Sequence, residues 1–155
     1  MTSRPPIDVG DALSEPTRIM TRERMRWYCD ALETAAAATG EFVIAGPTIH
    51  SDDEFARANG LPGIIADGMI STNWISGMLY RAFGEQYLAS GELQTKFIRP
   101  VYEDERIETH GRVVSRELTD QGARYVLDVW CQTSNEEKCT VGQARVLMPV
   151  DTASG

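Results

Sequence analysis

From Gly68 to Tyr80 the chain reads GMISTNWISGMLY, without one charged side chain, and Arg81 is the first charge to follow. Asp67 stands immediately before this run in the position of an N-cap, so residues 68–83 are expected to form one helix. A helix that is apolar nearly all round must be buried. Any fold for this chain therefore has to supply something that wraps around residues 68–83. The stretch does not reach the roughly 20 consecutive apolar residues of a membrane span, so no transmembrane helix and no membrane partner are expected.

The wrapping material lies downstream, where the pattern changes period. Residues 93–99, 106–117, 123–133 and 140–148 alternate as half-buried strands do, with Ile107, Thr109, Gly111 and Val113 on one face and Arg106, Glu108, His110 and Arg112 on the other. Turn signals at Thr119-Asp120-Gln121-Gly122 and Ser134-Asn135-Glu136-Glu137 separate them, and links this short favour antiparallel hairpins. Upstream, Thr21 caps a helix expected over 22–38, with Met25, Tyr28, Cys29 and Leu32 at helical spacing and Gly40 as the stop. A short strand is expected over 7–13. Residues 41–63 are irregular, with Gly46-Pro47 and Leu61-Pro62-Gly63 as turns and a short helical piece over 53–59. An antiparallel sheet wrapped round the one all-apolar helix is an α+β hot-dog fold. A chain of 155 residues that is 42% apolar has the size for one such domain over 1–155, with about 1–6 and 150–155 expected to be flexible.

Composition removes several function classes. A formal charge of −8 with scattered lysines and arginines leaves no basic face for a phosphate backbone, so nucleic acid is not an expected partner. Cys29, Cys131 and Cys139 show no metal-ligand spacing and suit no disulfide framework; reduced, packed thiols are expected. The N-terminus carries Pro5 and Pro6 where a secretory signal would be apolar, and the cytoplasm is the expected compartment.

Three segments carry a family resemblance. IHSDDEFA (Ile49 to Ala56) looks like a catalytic-histidine segment, in which Asp follows His by two residues and a short helix containing Phe-Ala comes next. ADGMISTNWISGML (Ala66 to Leu79) looks like the start of a central helix that usually reads His-Gly-Met and, further on, Ser-Gly. FIRPVYEDE (Phe97 to Glu105) looks like Phe-x-x-Pro-Val-x-x-Gly-Asp, read with Glu103 in place of the glycine. Together, in this order and over most of residues 20–148, they resemble the MaoC-like, or R-specific enoyl-thioester, hydratases. The resemblance implies a lyase that adds water to a 2-enoyl thioester or removes it from a 3-hydroxyacyl thioester, on coenzyme A or an acyl carrier protein. It implies no cofactor and no metal. His50 matches the catalytic histidine, Gly68 the backbone amide that binds the thioester oxygen, and Ser76 a serine near that histidine. Histidine titrates near neutrality and so suits proton handling. An amide at a helix N-terminus suits negative charge on the thioester oxygen. Hot-dog sheets leave open edges that commonly pair, so a homodimer is expected.

The pattern also breaks. The family's aspartate lies five residues before its histidine, where this chain has Ala45. An alignment with an insertion, matching Thr39-Gly40-Glu41-Phe42 to the usual Ser-Gly-Asp-Phe, makes Glu41 the acid. Asp67, which replaces the family's histidine beside the glycine, is a second candidate acid, and its plain reading is the N-cap. Without either carboxylate, three alternatives stand: a non-catalytic subunit of a hetero-oligomer, a conjugate-addition enzyme using His50 alone, and a thioesterase. Plain readings also exist for Ser76, bonded back to a carbonyl one turn earlier, for His110, facing solvent, and for Asp52 and Asp53, capping the helix that follows. Met69, Trp74, Met78 and Phe83 are expected in the core, some lining an acyl tunnel. Arg57, Arg81, Lys96 and Arg99 are the cations expected nearest the entrance.

Overall fold

A computed structural model describes the backbone of residues 7–37 and 46–149, with side chains throughout except at 33–37. Glu41, Ala45 and both chain ends lie outside the described residues, and so do the expectations placed on them. The elements run β1 (Ala12–Ile19), α1 (Arg22–Ala37), α2 (Asp53–Ala58), α3 (Gly68–Phe83), α4 (Glu85–Ser90), β2 (Glu92–Phe97), β3 (Arg106–Thr119), β4 (Gly122–Thr133) and β5 (Lys138–Met148).

The uncharged stretch forms α3 with the expected bounds. Asp67 caps it by accepting from the Met69 amide at 2.8 Å, and Gly84, at φ 61, stops it while its N–H donates to the Tyr80 carbonyl. The strands form one antiparallel sheet in the order β1-β3-β4-β5-β2. Their alternation settles which face meets α3: Ile107, Val113, Leu127, Val129, Ala144 and Val146 are buried, together with Ile75, Met78, Leu79 and Phe83 of the helix. This is the helix-in-sheet arrangement expected from the pattern.

Several expectations need correction. The first strand is Ala12–Ile19 rather than 7–13. It lies at a sheet edge, where Pro16 can sit without breaking a ladder, and its register slips between Glu15 and Arg18. Helix α4 was not expected; its Tyr87 is buried against α3 through a hydroxyl bond to Ser76. On α1 only part of the expected stripe is inside: Met25 is buried, whereas Leu32 is 50% exposed. Met69, in the first turn of α3, is exposed rather than core, and Trp74 is half-buried. His110 is on the outer face as expected, but stacks on Trp130 with centroids 5.4 Å apart. Cys131 and Cys139 are buried and free, as expected, and burial pushes the Cys131 thiol up to about 12.

Candidate active site

His50 sits in a tight turn just before α2. The turn is closed by Ser51 and Asp52 amides donating to the Thr48 carbonyl, and by the Thr48 hydroxyl, which accepts from the His50 amide at 3.2 Å. Asp52 then caps α2 by accepting from the Phe55 amide at 2.7 Å, the plain role foreseen for it. Asp53 does something else. One of its oxygens accepts from the Ile64 amide at 3.0 Å, and the other meets the Arg22 guanidinium at 2.9 Å. The Arg22 bonds, and then the Ile64 amide, hold the Asp53 carboxyl below its ordinary value.

The bonds from Asp53 tie the histidine turn to residues 64–66, which are fixed in turn. Ile65 donates to the Ile49 carbonyl, Ala66 donates to the Val101 carbonyl, and Ile65 bridges to Tyr102. The Ile65 carbonyl is thereby left for His50, whose Nδ1 lies 2.9 Å from it. A carbonyl can only accept, so Nδ1 carries the proton, and Nε2 of the neutral ring keeps its lone pair. Nε2 has no hydrogen-bond partner among the described residues. This is the arrangement a general base requires: one nitrogen orients the ring and the other is available.

The segment that holds His50 leads directly into α3, so Gly68 comes next. Its N–H is the first of the helix and has no partner among the described residues, while the amide behind it is taken by the Asp67 side chain. His50, Asp67 and Gly68 line one cleft of about 460 Å³, with Met20, Ile65, Phe97 and Val101 on its apolar side and Ser71 and Thr140 among its polar groups. Ser71 is buried; its hydroxyl donates to the Gly68 carbonyl at 2.7 Å and lies 2.6 Å from the Thr140 hydroxyl on β5. The first turn of α3 is thus anchored to the sheet beneath the cleft.

Of the residues singled out in the sequence, the fold brings together His50, Asp67 and Gly68. Ser76 lies two turns further along α3, does not line the cleft, and accepts from the Tyr87 hydroxyl at 3.0 Å. Arg99 lines this cleft, and its guanidinium is held by both oxygens of Glu105, at 2.7 and 3.0 Å. Arg81 pairs with Glu15 on β1. The resemblance also needs one adjustment. The residue in the left-handed conformation that glycine favours is Asp104, at φ 65, and not Glu103. Asp104 therefore takes the glycine's place, while Glu103 pairs with Arg22 at 2.6 Å. Ser71, Thr140 and Phe97 were missed as cleft residues. Ser71 had a signal, since it lies one helical turn from Gly68; Thr140 reaches the site only through strand order.

Comparison with known proteins agrees with this fold. Among solved structures, the chain is similar to the R-hydratase PhaJ1 from Pseudomonas aeruginosa (18% identity, 96% of this chain and 90% of that chain, TM-score 0.67). It is likewise similar to the (R)-hydratase from A. caviae involved in PHA biosynthesis (18% identity, 94% and 100%, TM-score 0.67). A third likeness is to the HadBC (3R-hydroxyacyl-ACP dehydratase) complex from Mycobacterium tuberculosis (14% identity, 90% and 96%, TM-score 0.67). These likenesses establish the hot-dog fold. No curated protein sequence matches the chain. The family model described as MaoC like domain matches residues 47–133, a span that opens three residues before His50, takes in Gly68 and covers more than half the sequence; the chain belongs to the MaoC-like family.

Proposed function

We propose that the protein is a hydratase or dehydratase acting on a 2-enoyl or 3-hydroxyacyl thioester of coenzyme A or an acyl carrier protein, with His50 as base and the Gly68 amide as oxyanion donor. One observation carries the reading: an imidazole oriented through Nδ1, with Nε2 free, lines the same cleft as an unpartnered amide at a helix N-terminus. In the hydration direction, Nε2 of His50 takes a proton from water as its oxygen bonds to carbon 3 of the enoyl chain. The electron pair of the double bond moves through carbon 2 onto the thioester oxygen, where the Gly68 N–H and the helix dipole behind it stabilise the charge. A proton then returns to carbon 2, and the thioester carbonyl re-forms. Glu41 is the first candidate acid for that return; Asp67 lines the cleft but is engaged as the cap of α3, and is the second. The reaction calls for no cofactor or metal, and among the described residues no cluster is suited to hold a metal ion.

The working unit in this reading is a homodimer in the cytoplasm, joined along an open sheet edge, β2 being the edge nearer the cleft. A second reading has support of its own: among the described residues no carboxylate bonds to His50. A non-catalytic subunit, or one whose acid comes from a different chain, would look the same here. Similar structures include complexes of two chains, such as ChsH1-ChsH2 from Mycobacterium tuberculosis.

The deciding experiment follows loss of enoyl absorbance on adding the purified protein to crotonyl-CoA. Hydration is expected, and His50→Ala should lower it by about 10²–10⁴-fold, the usual contribution of a positioned acid or base. Activity that survives the substitution unchanged would remove His50 from the mechanism. Inactivity of the unmodified protein would favour the non-catalytic subunit, and free thiol in place of hydrated product would mark a thioesterase.

A further inference from the structure

The ring of Phe97 lies where a side chain at position 68 would begin. A Cβ built on Gly68 would stand 2.6–2.7 Å from three atoms of that ring, closer than real Cβ atoms approach anything. The contact follows from the sheet. Thr95 faces α3, as its 2.9 Å hydroxyl contact with Thr72 shows, and Phe97, two residues on in β2, lies on the same face. Cα–Cβ bonds on a helix lean toward its N-terminus, so a ring on that vector at Gly68 flanks the end from which the unpartnered amide emerges. A group that accepts from this amide is then within van der Waals reach of the ring. Phe97 is 48% exposed in the single chain, so packing within that chain's core is not what it chiefly serves.

We infer that Phe97 is a specificity-determining residue: its ring limits the bulk a thioester can carry at the carbon next to its carbonyl, admitting unbranched acyl chains and turning away 2-methyl-branched ones. The inference rests on the reading of Gly68 as the amide that binds the thioester oxygen. Gly68 and Phe97 act as a fitted pair, because the missing side chain at one position is the space filled by the other. One methyl group misplaced in a pocket typically changes selectivity by about 10–200-fold, which sets the scale of the effect.

The test compares kcat/KM for crotonyl-CoA and 2-methylcrotonyl-CoA in the unmodified protein, Phe97→Ala and Phe97→Leu. Dissociation constants of butyryl-CoA and 2-methylbutyryl-CoA are measured on the same three proteins by calorimetry. The unmodified protein should favour the unbranched member of each pair. Phe97→Ala should move both ratios toward the branched member by about tenfold or more, with Phe97→Leu between. If crotonyl-CoA is hydrated but neither ratio moves in either variant, the inference is overturned and the hydratase reading stands. Should the binding ratio shift in a protein that hydrates nothing, the inference stands and the hydratase reading falls. Absence of both binding and turnover would overturn the two together.

Discussion

Asp67 shows how two roles can meet in one side chain. It caps α3, with one oxygen on the Met69 amide, and it lines the cleft beside the amide that the proposed mechanism uses. Asparagine serves as an N-cap about as well as aspartate but cannot deliver a proton as an acid, so two substitutions separate the roles. Asp67→Ala should cost about 0.5–2 kcal/mol of stability through the lost cap. Asp67→Asn should keep both its Tm and its crotonyl-CoA hydration close to those of the unmodified protein, because the carboxylate is already engaged as the cap. An asparagine variant that melts normally yet has lost turnover would instead make Asp67 the acid. At this scale the sequence was legible where a short word fixed the surroundings. His50 could be found from the Asp-x-x-Phe-Ala that follows it, but its partner, the Ile65 carbonyl, is a backbone group that no residue type marks. Ser76 shows the converse. Its Ser-Gly word is clear in the sequence, yet helical geometry turns its hydroxyl to Tyr87 and not into the cleft.

Among elements, those with a strong period were readable and those without were not. Helix α3 and strands β3, β4 and β5 follow from runs that no other structure would bury well, and their bounds lie within a few residues of expectation. Helix α4 spans only Glu85–Ser90, too short for a period to show, and β1 was misplaced because Pro16 argues against a strand unless the strand is known to be an edge. Least visible in the sequence is the link made by Arg22. Its guanidinium bonds to Asp53 at the start of α2 and to Glu103 between β2 and β3, residues 31 and 81 positions away. The link joins α1 to both segments that bed the histidine turn, since Tyr102 pairs with Ile65 and Asp53 holds Ile64. Arg22→Ala should therefore loosen the bed more than the sheet. In hydrogen exchange by mass spectrometry, protection should fall in peptides covering 48–53 and 64–66, while peptides from β4 keep theirs. Equal loss across β4 would mean that Arg22 supports the whole fold and not the histidine turn.

Across the whole molecule, charge is organised as carboxylates held by arginines at the margins of one apolar core. Glu15 is held below its ordinary value by Arg81, then by Arg18, and Asp53 by Arg22 and the Ile64 amide. For Glu105, burial works upward, but the Arg99 guanidinium and the Tyr102 amide together outweigh it, and the net direction is also down. A carboxylate whose folded pKa lies below its unfolded one binds fewer protons when folded. Its contribution is complete above the unfolded value and is lost as pH falls through the folded one. The ordinary values are 4.5 for glutamate and 3.8 for aspartate, so stability should be level on the acid side down to that region and then decline. Glu105 offers the sharpest test, because it is half-buried and holds Arg99 at the wall of the cleft. Glu105→Gln keeps the shape but not the charge, and at pH 7 should cost about 1.5–3 kcal/mol, the usual worth of a hydrogen bond to a charged group. For a chain of this size that is roughly 2–4 °C in Tm per kcal/mol. Below the ordinary glutamate value the unmodified protein gives up the same interaction as its own Glu105 takes a proton. Melting curves of both proteins should therefore draw together as pH falls below 4.5, whereas a Tm gap that keeps its width there would show that the charge of Glu105 is not what the substitution removes.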